Sequence, residues 1–195
     1  EEFPKLVYLL EEHNCLEGGK YDYITKLAAK CNTKRLVPDY QSAKIMRRNY
    51  DGETFPPMGC RSHLSNWKDE NGNYKWYGRF NQGVVSLNLV QVALTANKDM
   101  KKFWEVLDER LDLCREALMV RHNLLLGTPS DISPIHWQHG GIARLEKGEK
   151  IDPLLKNGYS TLSLGYVGIY EMTQAMLGVS HTTKEGEEFA LKVMN

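Results

Sequence analysis

No charge of either sign prevails in this chain: 25 basic residues balance 25 acidic ones, for a formal net charge of zero. Nucleic acids and anionic membrane surfaces are bound through clustered cations, so neither partner is expected. Long hydrophobic runs are also missing. Nothing approaches the roughly 20 consecutive apolar residues of a membrane-spanning helix, and no signal-peptide pattern opens the chain. Cysteine is scarce. Cys15, Cys31, Cys60 and Cys114 stand far apart with no CxxC pair, which excludes a disulfide framework or a zinc motif and predicts a reduced, cytoplasmic protein. Internal repeats and low-complexity segments are absent. The 195 residues suffice for a proper core and for one domain, or one and a half.

What is there alternates between strand and helix signals. Lys5 to Leu10 is a nearly continuous apolar run, the pattern of a strand buried on both faces. Ile24, Leu27, Ala28 and Cys31 fall at i, i+3, i+4 and i+7, one face of an amphipathic helix. A short helix is predicted from Gln41 to Arg48, with Ala43 and Ile45 or Met46 facing inward. Glu70-Asn71-Gly72-Asn73 reads as a hairpin tip. A strand inside a sheet follows over about 82–90, and the longest helix over about 98–125. Phe103, Leu107, Leu111, Cys114, Leu118 and Leu125 form the apolar stripe of that helix, which makes Cys114 a core residue. Gly127 and Pro129 end it. From Thr128 to Asn157 the chain is irregular, with helical turns expected at Ala143 to Leu145 and Asp152 to Leu155. A β segment over Gly158 to Gly168, a helix over Ile169 to Leu177 and another from Lys184 complete the chain. The alternation predicts an α/β fold with at least partly parallel strands.

One stretch stands out from this rhythm: Pro56-Pro57-Met58-Gly59-Cys60-Arg61-Ser62-His63-Leu64. Two prolines fix φ, a glycine allows a tight turn or a close approach, and a thiol follows among small and polar neighbours. The residues alone leave two readings open, a thiol presented at a loop tip and a buried structural cysteine. Three other constellations carry less. Cys60 with His63 is a weak case for thiolate–imidazole catalysis, since such pairs usually meet only in the fold. His136-x-x-His139 lacks a third ligand, and Trp137 and Gly140-Gly141 argue against the helix a zinc motif needs. Gly165-x-x-Gly168 has none of the flanking residues of a phosphate cradle.

Met-Gly-Cys-Arg-Ser at 58–62 and Gly78-Arg79-Phe80-Asn81-Gln82-Gly83-Val84-Val85-Ser86-Leu87-Asn88-Leu89 closely resemble the catalytic chain of anaerobic (class III) ribonucleoside-triphosphate reductases. Lys34-Arg35-Leu36-Val37-Pro38-Asp39-Tyr40, Pro134-Ile135-His136-Trp137 and Gly158-Tyr159-Ser160-Thr161-Leu162-Ser163-Leu164-Gly165-Tyr166 agree with the same family in order and spacing. The likeness covers nearly the whole chain and implies a section from the middle of a longer protein, residues 1–195 being a single fragment of its catalytic barrel domain.

The resemblance implies a ten-stranded α/β barrel with a finger loop through its centre, here about 55–66, carrying a radical cysteine. Cys60 matches that cysteine. In the family a thiyl radical removes the ribose 3′ hydrogen of a ribonucleoside triphosphate. It is generated by a glycyl radical on a C-terminal loop, itself made by an iron–sulfur, S-adenosylmethionine-dependent activase. Asn81, 21 positions downstream of Cys60, matches the place of a second redox cysteine in the aerobic enzymes. An amide can hydrogen-bond substrate or reductant but cannot form a disulfide, so Asn81 with Met58 resembles the branch in which formate supplies the electrons and leaves as carbon dioxide. Bonding of the Asn81 amide to backbone at a strand start is the plainer reading of that residue.

Ser62 occupies the place of the acidic general base of the aerobic enzymes, with loop hydrogen bonding as its other reading. His63 departs from the aromatic or apolar residue expected after Arg-Ser, which puts the packing at the loop base in question. The resemblance further implies a homodimeric parent with ATP and deoxynucleotide effectors and a structural zinc outside this section. The isolated section is expected to be inactive and prone to self-association through unpaired strand edges. A non-catalytic α/β interaction module on the same scaffold and another glycyl-radical enzyme, of the pyruvate formate-lyase type, are the competing readings. The latter uses adjacent cysteines, whereas Gly59 and Arg61 flank Cys60.

Overall fold

Parallel strands cannot be joined by a tight turn and need a crossover, usually helical, and both strand pairs of this chain are of that kind. The computed structural model describes residues 6–55, 57 and 63–195, and the chain divides into two compact units, Glu1–Phe80 and Asn81–Asn195. Among the described residues no helix is long and apolar enough to cross a membrane.

In the first unit β1 (Val7–Leu10) runs parallel to β2 (Asp39–Ser42), with Val7 opposite Asp39 and Leu10 opposite Ser42. The crossover carries α1 (Glu12–Cys15) and α2 (Asp22–Arg35). Asp22 in the first turn of α2 and Lys34 and Arg35 in the last complement the helix dipole. The helix stops at Leu36, whose φ of 59° is left-handed. Two expectations are corrected here. All four residues of β1 are half-buried, not buried on both faces, because the strand pairs in a two-stranded sheet. The stripe on α2 does not form one core face either: Ala28 is buried, Cys31 is half-buried and Leu27 is 65% exposed. In α3 (Ala43–Asn49) the buried pair is Ala43 and Met46, with Ile45 outside, and the Ser42 hydroxyl caps the helix by accepting from the Ile45 amide at 3.3 Å. The hairpin tip at 70–73 is closed by a bridge between Lys68 and Tyr74.

The second unit is built on β3 (Asn81–Asn88) and β4 (Thr161–Val167), again parallel. β3 stops short of residue 90 because the Asn88 side chain accepts from the Gln91 amide at 3.1 Å and starts α4 (Leu89–Ala96). This helix was not anticipated. Leu89, Val92, Ala93 and Ala96 are all at most 1% exposed, but the outer face carries an apolar Leu94 that is 66% exposed, so the polarity pattern does not mark the helical period. Asp99 then caps α5 (Met100–Leu125), whose Phe103, Leu107 and Cys114 are buried as the stripe predicts.

The next stretch holds a 3₁₀ turn at Ser130–Ile132 and two single α-helical turns, α6 (Pro134–Trp137) and α7 (Asp152–Leu155), the latter two each with proline at the start. The turn expected at Ala143 to Leu145 does not form. α8 (Ile169–Leu177) and α9 (Lys184–Met194) close the unit, packing Met172, Met176 and Phe189 against Phe103 and Leu107. Gly168, between β4 and α8, has φ of 90°, and a Cβ there would sit 2.2 Å from Val90 Cγ2, so the turn admits only glycine.

Candidate functional site

Met58, Cys60 and Ser62, three of the four residues singled out from the sequence, lie outside the described residues. What is described is the base from which their loop departs. Phe55 on one side and Leu64 on the other are 2% and 4% exposed, so both flanking residues are buried. Phe55 stacks on Trp76 at 3.7 Å between ring centres and meets Tyr50 edge-on at 4.7 Å, while Trp76 stacks in turn on Tyr74. His63 lies edge-on to Phe55 at 6.2 Å, so its ring makes the contact an aromatic residue would make at that position. Arg79, only 6% exposed, donates to the Ser65 carbonyl at 2.9 Å and to the Lys75 carbonyl at 3.3 Å. It ties the outgoing limb of the loop to the segment that leads into β3.

Asn81 opens β3 at an irregularity in the ladder. Asn81 faces Thr161 and Gly83 faces Leu162, which leaves Gln82 as the extra residue of a β-bulge. Freed from regular pairing, the Gly83 amide donates to Asn81 Oδ1 at 2.7 Å. That bond fixes the orientation of the side-chain amide, and Asn81 Nδ2 accordingly points along β4, donating to Thr161 Oγ1 at 3.2 Å and to Ser163 Oγ. The plainer reading of Asn81 as a strand-start amide bonded to backbone is therefore part of its role.

The bulge sorts the two faces of the strand pair. Asn81, Ser86, Thr161, Ser163 and Gly165 share one face: the Asn81 bonds place the two hydroxyls there, and a Cβ on Gly165 would meet Ser86 Oγ at 2.9 Å. That face carries small polar side chains, with Val84 beside them, its Cγ1 3.6 Å from where a Cβ on Gly165 would sit. Gln82 and Gly83 look the other way, toward α5, where a Cβ on Gly83 would come within 2.7 Å of Arg121 Nη1. Gln82 Nε2 donates to the Leu155 carbonyl at 3.0 Å and to Ser160 Oγ at 2.8 Å, and Ser160 Oγ donates to the Leu154 carbonyl at 2.7 Å. Both protons of the Gln82 amide are thus used, its Oε1 is an acceptor, and His122 Nδ1, 2.8 Å away, must carry the proton of that bond. Sequence reasoning missed Gln82, His122 and Ser160. A glutamine next to the marked asparagine was visible, but its partners stand 40 and 78 positions away.

The Cys60–His63 pairing lies outside the described residues, and the His136–His139 pair does not assemble. His136 lies in α6 and bonds to Ser133 Oγ at 2.7 Å, whereas His139 lies beyond that turn. The helix is present for one turn only, slightly more than Trp137 and the glycines suggested. No group of three His, Cys, Asp or Glu side chains among the described residues could hold a metal ion. A charged concavity at the ends of β1 and β2 contains Glu11, Glu12, His13, Lys44 and Arg47. There Arg47 grips Glu11 with both arms, at 2.9 and 2.5 Å, and this bond holds the Glu11 carboxyl below its ordinary range. Each of the two charges is taken up by the other.

Comparison with known proteins bears on this geometry. The family model for anaerobic ribonucleoside-triphosphate reductase matches residues 1–195. The anaerobic ribonucleoside-triphosphate reductases of Salmonella typhimurium and Escherichia coli are each 41% identical over 187 residues, covering 92% of this chain and 25% of theirs. That of Enterobacteria phage T4 is 45% identical over 179 residues, covering 87% of this chain and 29% of its own. The chain therefore spans about a quarter of the length of the curated relatives it matches. In structure, the anaerobic ribonucleotide reductase of Thermotoga maritima, solved with citrate in its active site, matches 98% of this chain and 32% of its own with a TM-score of 0.53 at 17% identity. The α/β fold is that of a portion of this enzyme.

Proposed function

Given that the chain belongs to the anaerobic ribonucleoside-triphosphate reductase family, we propose that it supplies the finger loop and an adjoining barrel strand of such an enzyme. The reaction is reduction of a ribonucleoside triphosphate at the 2′ position. Formate is oxidised to carbon dioxide, and the 2′-hydroxyl leaves as water. One nucleotide and one formic acid thus give one deoxynucleotide, one carbon dioxide and one water. Cys60 is the group that takes the 3′ hydrogen as a thiyl radical and returns it at the end. A glycyl radical elsewhere in the enzyme, made by a separate activase, oxidises it. Met58 and Ser62 flank Cys60 on the loop and shape the same site, Ser62 by hydrogen bonding to the reacting sugar or within the loop. The remaining partners in this reading are the nucleotide effectors and a second subunit of a homodimer.

The observation that supports this most directly is Asn81. Its amide is held by the Gly83 amide and by the Thr161 and Ser163 hydroxyls. A group that cannot form a disulfide, fixed where a redox thiol would otherwise stand, suits a reductant that brings its own electrons and leaves. The test uses the full-length enzyme containing this section, activated under anaerobic conditions. Formate-dependent deoxynucleotide formation is expected, and Cys60→Ser is expected to abolish it while the circular dichroism spectrum stays unchanged. Turnover that survives in Cys60→Ser would refute the assignment and favour a scaffold role. The 195-residue chain alone is expected to show none.

A further inference from the structure

Two hydroxyls in β4 have a proton each that no described residue receives. Gly83 N–H fixes Asn81 Oδ1 at 2.7 Å, so both protons of Asn81 Nδ2 are directed at Thr161 Oγ1 and Ser163 Oγ. A hydroxyl that accepts one bond still has a donor to place. Among the described residues neither Thr161 nor Ser163 donates to a protein acceptor. Both oxygens lie within hydrogen-bond reach of the same amide nitrogen, so their two O–H groups can converge on one small ligand. The face around them is low and open: Gly165 brings no side chain, and Val84 is 47% exposed. Neither β3 nor β4 contains an acidic residue, so nothing on either strand repels an anion there. On the opposite face the Arg121 guanidinium lies against Gly83, and its field favours negative charge at the bulge.

We propose that Thr161 and Ser163 contact the reductant, donating their two hydroxyl protons to the carboxylate of formate, with Asn81 as the residue that holds both hydroxyls in place. This rests on the reading of Asn81 given under Proposed function and adds the ligand-binding groups to it. The same donors could serve an oxygen of the nucleotide, and the two sources separate kinetically. Loss of a hydrogen bond to a charged group weakens binding by roughly tenfold to a hundredfold.

The experiment measures KM for formate and KM for the nucleotide in the full-length enzyme carrying Ser163→Ala, Thr161→Val or Thr161→Ser. Ser163→Ala and Thr161→Val are expected to raise the formate KM about tenfold or more, with the nucleotide KM within twofold. Thr161→Ser, which keeps the hydroxyl, is expected to restore the wild-type formate KM. A rise confined to the nucleotide KM, an equal rise in both, or no rise in either overturns the proposal. If Ser163→Ala does not fold, the Thr161→Val and Thr161→Ser pair decides it alone. Cys60→Ser distinguishes the two levels of the account. Turnover lost in Cys60→Ser with an unmoved formate KM in the β4 variants refutes only this inference. Turnover retained in Cys60→Ser, or a wild-type enzyme indifferent to formate, refutes the functional reading beneath it.

Discussion

Replacing Gln82 by methionine keeps the length and most of the volume of the side chain but removes every hydrogen bond it makes. Three partners lose it: the Leu155 carbonyl, Ser160 Oγ and His122 Nδ1. They are not equal. Leu155 and Ser160 are 3% and 7% exposed, so water does not readily replace the lost donor at either. His122 is half-buried and can be rehydrated. Stranding a buried polar partner costs about 1–3 kcal/mol. Ser160 keeps its own bond to the Leu154 carbonyl, which puts its share at the low end, and Gln82→Met is expected to destabilise the chain by about 2–4 kcal/mol.

The assay is denaturant unfolding of wild type and variant with the m-value compared, so that a change in midpoint at constant m reports stability. Gln82→Glu should be worse than Gln82→Met. It keeps an acceptor for His122 but sets a second oxygen against the Leu155 carbonyl, where a donor is needed. A cycle with His122→Leu should return a coupling of about 0.5–1.5 kcal/mol. A loss below about 0.5 kcal/mol for Gln82→Met, at the level of an ordinary surface change, would refute the claim that these buried bonds stabilise the fold.

Two further outcomes are expected. Gly186→Ala puts a Cβ 2.1 Å from the Ser180 carbonyl oxygen and 3.0 Å from His181 Cα. Backbone cannot swing aside as a flexible side chain can, so the first turn of α9 should be displaced, at a cost of about 1–3 kcal/mol in thermal or denaturant unfolding. The Arg47 bond holds the Glu11 carboxyl below its ordinary value of 4.5. Its contribution is therefore fully present above that pH and lost as pH falls through the lowered value. The stability difference between wild type and Glu11→Gln should be largest near neutrality and shrink as the carboxyl is protonated at acid pH; a difference that did not fall with pH would contradict the ion pair.

Periodicity located those elements whose burial is one-sided. α8 was legible to the residue because Ile169 to Leu177 lies between glycines that end up left-handed at φ of 90° and 76°. α5 shows a clean stripe because its other face is wet. α4 did not announce itself, since the exposed Leu94 puts an apolar residue on its outer face, and the apolar stretch around Leu89 and Val90 reads equally well as the end of a strand. Leu27 misled in the opposite sense: a correct helical spacing placed it on a face that stays 65% exposed. At the candidate site, the family likeness pointed to Asn81, but only the fold shows why an asparagine is held there. The bulge at Gln82, the bonds to Thr161 and Ser163, and the tie to His122 all join residues between 40 and 82 positions apart, and no local pattern encodes such partners. Arg79 was legible as part of a motif and illegible as the clamp on Ser65, for the same reason.

In the proposed function Cys60 takes the ribose 3′ hydrogen, while Asn81 holds Thr161 and Ser163 in place for the reductant. The structure of the full-length enzyme with a ribonucleoside triphosphate and formate bound decides it. The proposal predicts the Cys60 sulfur facing the ribose 3′ carbon, and the formate carboxylate within hydrogen-bond reach of Thr161 Oγ1 and Ser163 Oγ. A Cys60 packed among apolar side chains, with the nucleotide bound away from Asn81, would contradict it.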